Sequence, residues 1–147
     1  MRFTKMEGLG NDYIYLNCLS HRPPDPAGLA VRLSDRHFGV GADGLICVCP
    51  GRRGDFAMEM YNADGSRGKM CGNGIRCLGK YVYDKGLTRR TSLQVDTDSG
   101  LRALRLLPGP AGIGQVEVDM GEPSVFPQIS IPLMELTYSV MPVSMGN

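Results

Sequence analysis

Residues 69–80 read Lys-Met-Cys-Gly-Asn-Gly-Ile-Arg-Cys-Leu-Gly-Lys, and the spacing inside this stretch decides how the chain is read. Ile75, Leu78, Gly79 and Val82 recur at i, i+3, i+4 and i+7, the period of one buried helix face. Gly86, after Asp84 and Lys85, supplies a left-handed stop. The pattern predicts a helix over about residues 73–85, beginning just after Cys71. The first amides of a helix have no intrahelical acceptor and sit at the positive end of its dipole. That setting favours a thiolate and can hold a carboxylate beside it. Cys71 is therefore read as a proton-transfer group, with the amides of Gly72 and Asn73 as an anion hole. A small buried cysteine at a glycine-rich turn is the plainer alternative. Packing alone, however, does not call for glycines on both sides of Asn73.

Outward from this helix, short strand patterns dominate. Residues 2–7 and 13–17 are strand candidates around a Gly-Leu-Gly-Asn-Asp loop at 8–12. Asp25 and Pro26 mark a helix start, cap and first position, and that helix is expected to reach about Arg36 with Leu29, Val31 and Leu33 inward. A glycine-rich loop follows at 37–44, then a buried strand at 45–49. Phe56, Met58 and Met60 share one face of a strand that ends in the turn Asn62-Ala63-Asp64-Gly65. Residues 92–97, 101–107 and 115–120 read as strands, the last two joined by a mobile hairpin turn at 108–114. The tail at 129–143 is strand-like, with Pro132 and Pro142 suited to edges or crossovers. The sum is an α+β domain over residues 1–147: a curved, mainly antiparallel sheet wrapping one central helix, with a second helix outside.

Composition narrows the function classes. A chain of 147 residues, 42% hydrophobic, 21% charged and with net charge +1, suits one globular domain with a real core. Near-neutral charge with scattered basic residues offers nothing to nucleic acid or a membrane surface. No apolar run reaches spanning length and residues 1–20 lack a signal-peptide layout, so a cytoplasmic location is expected. The five cysteines, Cys18, Cys47, Cys49, Cys71 and Cys77, have no paired Cys-x-x-Cys spacing for zinc. Without export features a disulfide framework is not expected either. Four are read as small buried hydrophobes and Cys71 as the chemical one; Cys77, on the far side of the helix, is assigned to the core. His37 beside Phe38 is read as structural. The Gly-Val-Gly and Gly-Ala-Asp-Gly runs lack the lysine that a phosphate loop would need.

The run "MCGNGIRCLGKY" resembles the active-site signature of diaminopimelate epimerase, a cofactor-independent enzyme of lysine and cell-wall precursor synthesis. The segments "KMEGLGNDY" (5–13), "DRHFGVGADGL" (35–45), "YNADGS" (61–66) and "VSMGN" (143–147) agree with that family in order and spacing. The resemblance covers about the first half of such an enzyme. It implies a half-barrel fold around the helix after Cys71, and a second, similar half carrying a partner cysteine that has no counterpart in this chain. It also implies diaminopimelate as the small-molecule substrate, no cofactor, and a family that is often dimeric.

Epimerisation without an electron sink requires a thiolate and a thiol on opposite faces of the α-carbon and directed hydrogen bonds for the enolate-like charge. By the resemblance Asn11, Asn62 and Asn147 match substrate-contacting positions, as do the amides of Gly72 and Asn73. A carboxamide suits a zwitterion because it both donates and accepts. Some family members use a glutamine where this chain has Gly44, and Met70 is read as a hydrophobic wall. Two alternatives stay open at this point: a racemase of the same fold acting on proline, 4-hydroxyproline or histidine, and a non-catalytic binding domain, since one cysteine makes half a site.

Overall fold

Side-chain alternation along three neighbouring strands dictates the architecture. In β2 (Asn11–Asn17), Tyr13 and Tyr15 enter one apolar cluster while Ile14 and Leu16 enter another on the opposite face. In β3 (Gly44–Pro50), Ile46 and Val48 oppose Leu45, Cys47 and Cys49 in the same way. In β4 (Phe56–Asn62), Phe56, Met58 and Met60 oppose Tyr61. A sheet that is apolar on both faces must be covered on both. The computed structural model, which describes residues 1–110 and 112–145, shows a helix on each side.

Among the described residues the main sheet holds eight strands. Its order is β1 (Thr4–Gly8), β2, β3, β4, β6 (Ser92–Thr97), β7 (Gly100–Gly109) and β8 (Gly112–Val118), with the short β5 (Arg67–Gly68) on β4. The pairs β2–β3 and β4–β6 are parallel, and the other pairs of this sheet are antiparallel. The helix α2 (Gly72–Asp84) lies inside the curl and touches both edge strands, β1 and β8. Ile75, Leu78 and Val82 are fully buried. The helix ends with Gly86 at φ 67°, and Gly86 N–H donates to the Tyr83 carbonyl at 2.9 Å. The helix α1 (Pro26–Ser34) covers the outer face, capped by the Asp25 carboxylate accepting from Gly28 N–H at 2.8 Å. The half-barrel around a central helix is as expected. No helix among the described residues is long and apolar enough to cross a membrane.

Four details differ from the expectation. The first helix stops at Ser34, two residues early, because the Asp35 carboxylate captures the N–H groups of His37 and Phe38 at 2.7 and 2.8 Å. Val31 is then 46% exposed, while Leu29 and Leu33 pack partly buried. The first loop is a two-residue turn, Leu9-Gly10, with φ of 56° and 83°, so Asn11 and Asp12 belong to β2 rather than to a loop. The glycine- and proline-rich turn after residue 107 is mostly strand: β7 runs to Gly109 and β8 resumes at Gly112. Backbone pairing overrides composition there. In the tail, β9 (Ser124–Val125) pairs with β12 (Val143–Ser144), and β10 (Ile129–Leu133) with β11 (Leu136–Val140), off the main sheet. Ile129, Ile131, Leu133, Leu136 and Tyr138 are all exposed.

A polar clamp ties the loops around the start of β2. Asp12 accepts from Arg36 at 2.7 and 3.2 Å and pairs with Lys5 at 3.0 Å. Arg36 also donates to Asp43 at 3.1 Å, and Asp12 N–H donates to the Asp43 carboxylate at 3.0 Å. Asp43 in turn accepts at its carbonyl from Ala63 N–H at 3.0 Å. One arginine therefore joins the strand holding Asn11 to the turn after Asn62. The Arg36 hydrogen bonds hold the Asp12 carboxyl well below the usual carboxylate range.

A depressed carboxylate stabilises the fold above its unfolded value of about 3.9, and the contribution is lost as pH falls through the folded value. Asp12→Asn is expected to cost roughly 1–2 kcal/mol at pH 7, allowing for the solvent exposure of Arg36. The gap from wild type should shrink in urea titrations taken progressively below pH 4, and a pH-independent gap would contradict the clamp. In α2, a Cβ on Gly79 would meet Leu106 Cδ2 at 2.9 Å and Leu104 Cδ2 at 3.0 Å. Gly79→Leu should therefore lower stability by about 1–3 kcal/mol through overpacking. An unchanged urea midpoint would mean that α2 is not seated against β7.

Candidate functional site

Cys71 is the N-cap of α2. Its backbone is extended (φ −132°, ψ 117°), and its carbonyl accepts the first helical hydrogen bond from Ile75 N–H at 2.9 Å. Its sulfur accepts from Gly74 N–H at 3.3 Å, the bond a serine or aspartate side chain makes in this position. The sulfur is thereby fixed over the helix start, half-buried. The amides of Gly72 and Asn73 lie in the same first turn, where helix N–H groups have no intrahelical acceptor. A Cβ added at Gly74 would stand 2.7 Å from Ile46 Cδ1, so the Ile46 side chain would have to shift to admit one. The first turn is pressed directly onto the sheet.

Of the residues singled out by sequence, Asn11 is brought onto Cys71: its Nδ2 donates to the sulfur at 3.6 Å. Asn62 reaches the same neighbourhood by register, because Tyr13 pairs with Gly44 and Gly44 with Asn62 across adjacent strands. Its carboxamide, however, donates to Ser66 Oγ at 2.9 Å, within its own turn. Asn73 turns its side-chain oxygen to Arg76. Asn147 lies outside the described residues.

Sequence reasoning missed Tyr13. It is buried on the inner face, close enough to Cys71 for the sulfur to act on its phenol. Burial first, then the neighbouring sulfur, pushes its phenol up to about 12. The available signal was the alternation Asn11, Tyr13, Tyr15, which puts all three on the face that α2 covers. Tyr15 lies deeper and donates from its hydroxyl to the Gly74 carbonyl at 2.9 Å.

The other thiols divide differently from the expectation. Cys18, Cys47 and Cys49 are buried on the outer face. A hydrogen bond with Cys47 pushes the Cys18 thiol up to about 12, and one with Cys18 raises that of Cys49. Cys77 is not core. It is half-buried, 3.6 Å from the Glu7 carbonyl, and lines a groove of about 690 Å³ with Leu9, Lys80 and Met120. The cause is the open seam between β1 and β8, which leaves that flank of α2 uncovered. His37 is exposed in the loop after α1. A second depression of about 660 Å³ lies at the far end of β2 and β3, next to the paired Arg22 and Glu59 and remote from Cys71.

The comparisons with known proteins bear on family and fold. The family described as Diaminopimelate epimerase matches residues 3–126. A diaminopimelate epimerase of Acetivibrio thermocellus is 50% identical over 133 residues, covering 90% of this chain and 47% of that protein. One of Agathobacter rectalis is 47% identical over 156 residues, covering 100% of this chain and 54% of that protein. The chain thus spans about half the length of these relatives. Among solved structures, a probable proline racemase from Agrobacterium radiobacter superposes with TM-score 0.72 at 14% identity, over 96% of this chain and 48% of that one. A hydroxyproline epimerase from Agrobacterium vitis gives 0.66, also at 14% identity, over 95% of this chain and 48% of that one. Those two likenesses concern the fold. The match over most of its length places the chain in the diaminopimelate epimerase family.

Proposed function

We propose that Cys71 is one of two proton-transfer groups that invert the α-carbon of diaminopimelate, LL to meso, without a cofactor. The observation that carries this reading is the sulfur of Cys71, held at the cap of α2 by Gly74 N–H and by Asn11. As a thiolate it takes the α-proton; as a thiol it returns one when the reaction runs the other way. The substrate carboxylate then sits against the Gly72 and Asn73 amides, where the charge of the enolate-like transition state grows and the dipole of α2 is positive. Asn11, Asn62 and Asn147 supply carboxamides for the zwitterionic ends.

Inversion needs a second group on the opposite face of the carbon. We assign it to a cysteine in the further length that relatives of this chain possess. The apolar residues exposed on β10 and β11 suit cover by such a length.

In a protein with the relatives' full length, Cys71→Ser is expected to reduce LL-to-meso conversion by at least about 10²-fold, because a hydroxyl is a far weaker acid of similar volume. Retained conversion would remove Cys71 from the reaction. The 147-residue chain by itself should not convert LL- to meso-diaminopimelate in a circular-dichroism assay. Efficient conversion would place the second group within this chain or a second copy. Selective turnover of proline or 4-hydroxyproline in the full-length protein would change the substrate.

A further inference from the structure

We infer that Arg76 is a positioning residue for the first turn of α2. It holds the Asn73 carboxamide oxygen away from the Gly72 and Asn73 amides, which stay open to the carboxylate that the proposed function places there. The Arg76 guanidinium donates from Nη2 to Asn73 Oδ1, one turn back along the helix. It extends as far as Gly72, where an added Cβ would stand 3.9 Å from Arg76 Nη1 and 3.9 Å from Met120 Sδ. The end of β1 also comes close: a Cβ added at Gly8 would stand 3.6 Å from Asn73 Cβ. The Asn73 side chain is thus set by a strand end and a guanidinium together.

The residue types fit this role. An asparagine in the first turn of a helix can fold its oxygen onto the neighbouring free N–H groups, as a capping side chain does. That would fill the place of a substrate carboxylate. A guanidinium carries donors and no acceptor, so it takes the oxygen and fixes which way round the carboxamide lies. What remains at the helix start is a group of donors: the two backbone amides, Asn73 Nδ2 and the rest of the guanidinium. The arrangement is electrostatically unfavourable while empty, because a cation stands near the positive end of the helix dipole. Arg76 has no ion-pair partner among the described residues, and α2 has no acidic residue in its first turn. A bound anion relieves that repulsion, whereas packing by itself gives no reason for a charge here.

The first arm of the test needs no turnover. Backbone amide exchange of Gly72 and Asn73 is followed by nuclear magnetic resonance in the 147-residue chain. Arg76→Met should slow at least one of the two about tenfold, as the released Asn73 oxygen folds onto it, with an unchanged far-ultraviolet spectrum. In an Asn73→Ala background the same change should slow neither, because no oxygen is left to fold in. The second arm is KM for LL-diaminopimelate in a protein with the relatives' full length. There Arg76→Met should raise KM about tenfold with Asn73 present and no more than about twofold in the Asn73→Ala background. Equal effects in the two backgrounds, in either arm, would show that Arg76 acts by charge or packing alone and would overturn the role. Arg76→Ala carries the same comparison should the methionine variant unfold. The proposed function is judged separately: a full-length protein that turns over no diaminopimelate, beside the expected exchange result, removes that function and leaves the hold of Arg76 on Asn73 standing.

Discussion

The site depends on where one helix begins relative to one strand. The Tyr15 hydroxyl, fully buried, donates to the carbonyl of Gly74, and the Tyr15 ring stacks on Tyr81 two turns further along α2 at a centroid distance of 5.9 Å. Burial raises the Tyr15 phenol far above its ordinary value, so the donor is permanent. These contacts fix both the height and the rotation of α2 against β2. A shift of one helical turn, 5.4 Å, would carry Cys71 beyond the reach of Asn11. The Gly74 contact with Ile46 serves the same end from β3. Chemistry at the sulfur is thus a consequence of packing beneath it.

A second constraint acts above the sheet. The Leu9-Gly10 turn holds a leucine at positive φ, a conformation that an L-residue adopts at a cost of about 1 kcal/mol. That turn brings Asn11 into strand register directly after it. The Asp12–Arg36–Asp43 clamp then joins the turn to the loop before β3. Hydrogen bonds to charged partners are stronger than neutral ones, so a few residues suffice to order three loops that have little apolar surface. The helix fixes the sulfur and the clamp fixes the carboxamide that touches it.

The two faces of the sheet serve different ends. The inner face, with Tyr13, Tyr15 and the first turn of α2, is polar at its rim and apolar beneath. The outer face buries Cys18, Cys47 and Cys49 under α1 and beside it, where neighbouring thiols and low polarity push the thiols of Cys18 and Cys49 up. Five cysteines in one chain therefore have distinct fates, set by strand parity and by one helix cap.

The sequence by itself determined the local features. The i, i+3, i+4, i+7 spacing after Cys71 and the glycine at 86 located α2 to within a residue, because helix starts and stops are short-range signals. Two-residue alternation located β4, and a short apolar run located β3, for the same reason. Cys71 and Asn11 were legible as candidates from their motifs. What the tertiary structure decided are the long-range matters. Asn11 meets Cys71 across 60 residues of chain, a distance over which periodicity carries no information. Asn62 bends to Ser66 because a local turn competes for its amide, and Cys77 stays half-exposed because the sheet does not close over that flank of α2. The turn after Leu107 became strand because its backbone groups found partners in the ladder, which outweighs the preferences of glycine and proline.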